Sequence, residues 1–171
     1  MKNSPEIYHF TDNGIIPNSN HPVLIYRGIF NLDPETGVDW LVGHFAENNW
    51  TNPFHGKIYD YHHYHSNTHE VLGVYAGDAL LQLGGEHGEK IAVSIGDVLI
   101  LPAGTGHIEL QHSDDFAVVA AYPDGMEPDL IKISDERPKG IREKVDLVPL
   151  PENDPLYGKT ENGLLDHWKS Q

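Results

Sequence analysis

Four side chains of ligand type stand out by their spacing. In His63-Tyr64-His65-Ser66-Asn67-Thr68-His69-Glu70, one residue separates the imidazoles of His63 and His65. In an extended strand the side-chain period is two, so this pair projects from one face. Ser66-Asn67-Thr68 offers a turn, after which Glu70 opens the next antiparallel strand and can point into the same space. A third imidazole comes from farther along, where GDVLILPAGTGH (96–107) reads as a strand, a Pro/Gly turn and then His107. Imidazoles and a carboxylate brought together could bind a divalent transition ion, move protons, or both. Taken singly, each is more often an ordinary surface or core residue.

The neighbours of these four sort by the same alternation. His62 and His69 each precede one of them and face the other way in extended backbone, as surface histidines or as supports from behind. A helical pairing of His65 with His69 is disfavoured by the Ser-Asn-Thr turn and the following VLGVY. If His107 points inward, Glu109 and Gln111 follow it on the same face. Glu109 then lines the cavity as a proton donor, proton acceptor or partner of the ligands, or else is a solvated rim carboxylate. Tyr59 and Tyr61 share the His63 face and read either as an aromatic wall of the cavity or as packing.

The elements that must position these groups are short strands. Residues 54–122 hold one of the twelve prolines, Pro102, and eight of the twelve histidines, whereas 1–53 and 123–171 carry five and six prolines. Proline is excluded from central strands, so the middle reads as sheet and the flanks as looser arms. Strands are expected at 57–65, 70–76, 79–83, 90–95, 97–101, 106–112 and 116–122, with one more in 21–30 and a strand or short helix at 38–46. GLLDHWKSQ at the end suggests a helical turn, and 135–144 a solvated loop of mixed charge. Such a series points to an all-β sandwich or barrel. It forms one domain: 1–53 an N-terminal arm with the first strands, 54–122 the core with both histidine segments, and 123–171 a Pro-rich C-terminal arm.

The two segments resemble the two motifs of the cupin superfamily. His63, His65, Glu70 and Gly77 reproduce HxH, four residues, Glu, six residues, Gly; Gly96, Pro102, Gly104 and His107 reproduce G, five residues, PxG, two residues, H. Where the family ends the second motif with Asn, this chain has Gln111. HHYHSNTHEVLGVY and the DPLYG…GLLDHW ending also look like the YjlB-like bacterial single-domain cupins, a match that names a family and no activity. The resemblance implies a double-stranded β-helix, or jelly-roll barrel, with Gly77, Gly96, Pro102 and Gly104 in turns. It further implies that His63, His65, Glu70 and His107 hold one divalent metal. Three neutral imidazoles and a carboxylate suit Fe, Mn, Ni, Co, Cu or Zn rather than Ca or Mg, which prefer oxygen shells. An octahedral ion so held keeps two adjacent positions for water, O2 or a bidentate substrate. Three activities follow as expectations: a dioxygenase on a small molecule, a non-redox isomerase using Glu109 to move a proton, or a non-catalytic binding or sensing module. The arms are expected to pack across a homodimer.

Composition narrows the partners. Lys+Arg total 11 against 26 Asp+Glu, a formal charge of −15, so no basic footprint exists for nucleic acid or an anionic membrane. Cysteine is absent, which removes disulfides, thiolate nucleophiles and sulfur ligands. GGEHGEK lacks phosphate-loop spacing. The start, MKNSPEIYHFTDN, carries no apolar run of signal-peptide length, so a cytoplasmic protein is expected and the Asn49-Trp50-Thr51 sequon reads as coincidental.

Overall fold

The computed structural model describes residues 4–169. It contains β1 (Glu6–Tyr8), β2 (Val23–Tyr26), α1 (Pro34–Glu47), β3 (Trp50–Gly56), β4 (His63–Tyr64), β5 (Glu70–Ala76), β6 (Asp78–Leu83), β7 (Glu89–Ser94), β8 (Val98–Leu101), β9 (His107–His112), β10 (Ala117–Pro123), β11 (Ile131–Lys132), α2 (Ile141–Asp146) and α3 (Leu164–His167). Eleven short strands form a six-stranded sheet, β1-β2-β8-β5-β10-β3, and a five-stranded sheet, β11-β4-β9-β6-β7. Every pairing is antiparallel. Consecutive strands repeatedly cross between the sheets, which is the jelly-roll arrangement. Among the described residues no ladder joins the sheets, so the roll is an open sandwich.

The central strands of the six-stranded sheet, β2, β8, β5 and β10, are buried on both faces. The inner face of the sheet carries Val23, Ile25, Leu72, Val74, Leu99, Leu101, Val118 and Ala120, packed on Leu81, Leu83, Ile91 and Val93 of the other sheet. The outer face, with Leu24, Tyr26, Val71, Ile100 and Val119, lies under Leu41 and Phe45 of α1 and under Leu156, Leu164 and Trp168 of the C-terminal arm. Two covered faces explain why VLIY and VLIL read as unbroken apolar runs rather than alternations. The arm is pinned at Asp154, fully buried, whose carboxylate accepts from the Tyr26 hydroxyl and from the amides of Leu156, Tyr157 and Leu164.

Two expectations are corrected, one open alternative is resolved and one strand is added. Residues 38–46 belong to a helix of fourteen residues: Asp33 caps it by accepting from the Thr36 amide (2.8 Å), Pro34 enters at the first turn, and Leu41 and Phe45 share its buried face. The strand expected at 57–65 shrinks to His63–Tyr64, and a seven-residue strand precedes it at Trp50–Gly56. Pro53 argued against that strand, but β3 is an edge of its sheet, where a missing amide costs no ladder bond. β1, the opposite edge, was not expected. Part of 135–144 is helical rather than looped: α2 buries Ile141 and Val145, and Arg142 donates to the carbonyls of Pro17 and Asn18. The helical turn in GLLDHWKSQ is α3; the last two residues of that stretch lie outside the described residues.

Candidate metal centre

The two histidine segments meet because β4 and β9 lie side by side, with His63 opposite His107. The chain leaves β4 through His65, whose carbonyl accepts from the Gly104 amide at 2.8 Å. Gly104 adopts φ +89, and a Cβ there would stand 2.6 Å from the Asn18 carbonyl oxygen. Only glycine lets the turn approach this closely and deliver His107 beside His63. Glu70 enters from the facing sheet as the first residue of β5, paired with Leu101. All four side chains are buried, at 2 to 8% exposure.

The tautomers are set by the backbone. Nδ1 of His63 lies 2.9 Å from the Tyr61 carbonyl, Nδ1 of His65 2.5 Å from that of Asp129, and Nδ1 of His107 3.0 Å from that of Thr105. A carbonyl only accepts, so each Nδ1 is the donor. In the neutral rings Nε2 then carries the lone pair. Ligand atoms of the three histidines fall within 4.8 Å of one another. Glu70 faces them, with Oε2 3.5 Å from His65 Nε2 and Oε1 3.3 Å from His107 Nε2. The Tyr122 hydroxyl donates to Oε2 at 3.0 Å, while no hydrogen-bond donor among the described residues satisfies Oε1. With its proton on Nδ1, His107 presents a lone pair to that carboxylate oxygen. Two buried lone pairs so close repel unless a cation lies between them, and donors of this kind suit a borderline divalent metal.

The electrostatics of the site make the same demand. Burial, with the neighbouring imidazoles of His107 and His65, pushes His63 down to about 2. Burial also opposes a charge on His65, but the Glu70 carboxylate beside it prevails and raises that ring to about 9. Burial resists ionisation of Glu70 as well, yet the His65 imidazole beside it holds it well below the usual carboxylate range. Without metal, a proton on His65 therefore compensates the buried carboxylate.

The four side chains border a cavity of about 320 Å³, whose other walls include Tyr59, Leu72, Val118, Ala120 and Tyr122. Tyr59 meets the His63 ring edge-on at 5.1 Å. Tyr61 stacks on Tyr59, with centroids 5.0 Å apart, but stays outside the lining. Glu109 is buried and also outside the lining; its carboxylate lies 3.8 Å from His112 Nε2, and burial pushes its pKa up. Gln111 is exposed and away from the cavity, a correction with a clear cause. Leu80 pairs with Gln111 and Leu81 with Glu109, so Leu110 is an inserted bulge residue that reverses the alternation after Glu109. The period-of-two reading failed at that bulge.

His69 turns away from Glu70, as alternation requires, but it is buried rather than superficial. Its Nδ1 accepts from the Ala103 amide at 2.9 Å and its Nε2 donates to the Pro149 carbonyl at 3.0 Å. It thereby fastens the turn leading to His107. His62 is half-buried, and its Nδ1 has no hydrogen-bond partner among the described residues. Tyr122 and Asp129 were missed. Tyr122 was findable, since it shares the inward face of FAVVAAY with Val118 and Ala120; nothing in the Pro-rich arm marked Asp129.

No family model matches the chain. Among solved structures, it resembles a DUF861 family protein from Thermotoga maritima (17% identity, 57% of this chain and 96% of that one, TM-score 0.37). It also resembles a Bacillus subtilis oxalate decarboxylase (16%, 78% and 31%, TM-score 0.40) and pumpkin seed globulin (24%, 47% and 23%, TM-score 0.39). The chain thus spans about a quarter of the globulin. These superpositions are loose, and the architecture rests on the strand pairings above. Among curated proteins, the uncharacterized protein YjlB of Bacillus subtilis is 38% identical over 170 residues, 98% of this chain and 99% of that one. With identity at that level along nearly the whole of both chains, and both histidine motifs on a jelly roll, the chain belongs to the YjlB family of single-domain cupins.

Proposed function

We propose that the protein is a metal-dependent enzyme acting on a small molecule, of dioxygenase type, with the ion held by His63, His65, Glu70 and His107. One observation carries the reading: three imidazoles have their Nδ1 protons committed to backbone carbonyls, and their Nε2 atoms gather before a carboxylate whose Oε1 has no donor among the described residues, at the wall of a cavity. A divalent ion of the Fe, Mn, Ni, Co, Cu or Zn group supplies Lewis acidity there and, as Fe(II), the means to use O2. The chain provides the rest. Tyr122 holds the Glu70 oxygen that faces His65 and leaves the other facing His107. Leu72, Val118 and Ala120 keep the interior wall dry, which strengthens every charge interaction inside it. The isomerase alternative lacks its expected proton carrier, because Glu109 lies outside the lining.

The experiment is elemental analysis of protein purified without a chelating tag, followed by anaerobic Fe(II) loading and O2-uptake measurements with a panel of small chelating substrates. One equivalent of transition metal and substrate-dependent O2 consumption are expected. Metal binding with O2-independent turnover would overturn the dioxygenase assignment, and failure to bind any of these ions would overturn the whole reading.

A further inference from the structure

Two of the three imidazoles are fixed locally. The Nδ1 donors of His63 and His107 each meet a carbonyl two residues earlier, Tyr61 and Thr105. His65 is held differently, by the carbonyl of Asp129, 64 residues farther along. Asp129 belongs to the connection between β10 and β11, of which Glu127, Pro128, Asp129 and Leu130 line the cavity. The Asp129 side chain is clamped back onto the turn that follows His65. Its Oδ1 accepts from the Ser66 amide at 2.6 Å, and its Oδ2 accepts from the Ser66 hydroxyl at 2.5 Å and from Lys144 Nζ at 3.1 Å. The Asp129 amide donates to Asn67 Oδ1 at 3.0 Å, and Asn67 Nδ2 donates to the Glu127 carbonyl at 2.9 Å. Ser66 is fully buried, so neither of its bonds to the carboxylate is readily replaced by water.

We propose that Asp129 is the positioning residue of His65. Its carboxylate, locked on Ser66, presses its own carbonyl against His65 Nδ1, which fixes the ring with Nε2 toward Glu70 and ties one wall of the cavity to the metal centre. A carbonyl delivered from a distant segment holds the ring only while that segment is docked, so removing the clamp frees His65 while leaving His63 and His107 in place. The inference rests on the metal reading above, and its test separates the two.

The probe is Co(II) alone, titrated into the metal-free full-length protein and followed by its visible absorption, with thermal melts of the metal-free forms alongside. Asp129→Ala is expected to raise the Co(II) Kd about 10- to 100-fold and to alter the absorption band, the usual range for losing a partner behind a ligating histidine. Asp129→Asn keeps an acceptor for the Ser66 amide and an amide that can bond the Ser66 hydroxyl. It is expected to restore the Kd to within about threefold of wild type. If Asp129→Ala does not fold, Ser66→Ala, which deletes only the hydroxyl arm, carries the same test with a smaller rise in Kd. Unchanged affinity and spectrum in folded Asp129→Ala would overturn the inference and leave the metal reading standing. Equal losses in Asp129→Ala and Asp129→Asn would overturn it by making charge rather than placement the cause. No Co(II) binding by the wild type would remove the metal reading itself.

Discussion

His69 is a buried joint at the back of the candidate site, and it should be labile to acid. Its ring is buried, 4.9 Å from the Trp168 ring, and both nitrogens are committed: Nδ1 accepts from Ala103 and Nε2 donates to Pro149. A second proton on Nδ1 would confront the Ala103 amide head-on. Burial and the nearby His21 accordingly push the ring down from 6.5 to about 4, against a partial offset from the Pro149 carbonyl. Because the folded value lies below the unfolded one, the unfolded chain binds the extra proton more readily. Stability is therefore full above about pH 6.5 and is lost as pH falls toward 4. At 1.36 kcal/mol per pKa unit the whole effect is about 3 kcal/mol, of which about 2 falls between pH 7 and 4.5. The perturbation is His69→Asn, whose Oδ1 can take the Ala103 bond but has no proton to gain. Urea unfolding of the metal-free proteins, followed by tryptophan fluorescence, gives the free energies at both pH values. His63 and His65 also titrate, in opposite senses, but they contribute alike to both proteins and cancel in the comparison. The variant is less stable at pH 7, having lost the Pro149 bond and ring packing. It should nevertheless lose about 2 kcal/mol less than the wild type on acidification. Parallel losses in the two proteins would refute the reasoning.

Further outcomes follow from the same geometry. Replacing His63 or His107 by Ala should abolish stoichiometric metal uptake in a calorimetric titration, since each removes a converging Nε2. Tyr122→Phe removes the hydroxyl that donates to Glu70 Oε2; it should cost the metal-free protein about 1–3 kcal/mol in chemical denaturation, and metal should recover part of that loss. Gly104→Ala should destabilise by about 1–3 kcal/mol or more, because its backbone is left-handed and its Cβ would meet the Asn18 carbonyl; a thermal melt checks this. Adding metal at pH 7 should release a proton from His65, which is raised to about 9 before the ion enters. The protons released in calorimetry across buffers of different ionisation enthalpy should therefore diminish as pH approaches that value.

How far the site could be read in the sequence depended on whether spacing was translated into space by regular backbone. His63, His65 and Glu70 are linked by a strand, a three-residue turn and a strand, so alternation placed them together. His107 followed from a turn whose Pro and Gly punctuation was explicit. Alternation failed at Leu110, since a bulge is a property of the pairing with β6 and leaves no mark on β9 alone. The 57–65 stretch failed for a related reason: its aromatic composition favours strand, but its ladder pairing, to β9 and β11, is confined to His63–Tyr64. α1 was ambiguous because nine residues of VDWLVGHFA fit either period, although the Asp33-Pro34 start would have decided for helix. Asp129 had no local signature at all, because its role depends on a contact 64 residues away.

That difference between local and remote support bears on how the site is assembled. His63 and His107 carry their orienting carbonyls with them, two residues back, so pairing β4 with β9 sets both rings at once. Glu70 and His65 are each completed from elsewhere, Glu70 by Tyr122 at the end of β10 and His65 by Asp129 just after it. Both supports therefore come from the same stretch of chain, residues 122–129, which also walls the cavity. The arrangement divides the candidate centre into a half oriented by its own strands, His63 and His107, and a half oriented from residues 122–129, His65 and Glu70.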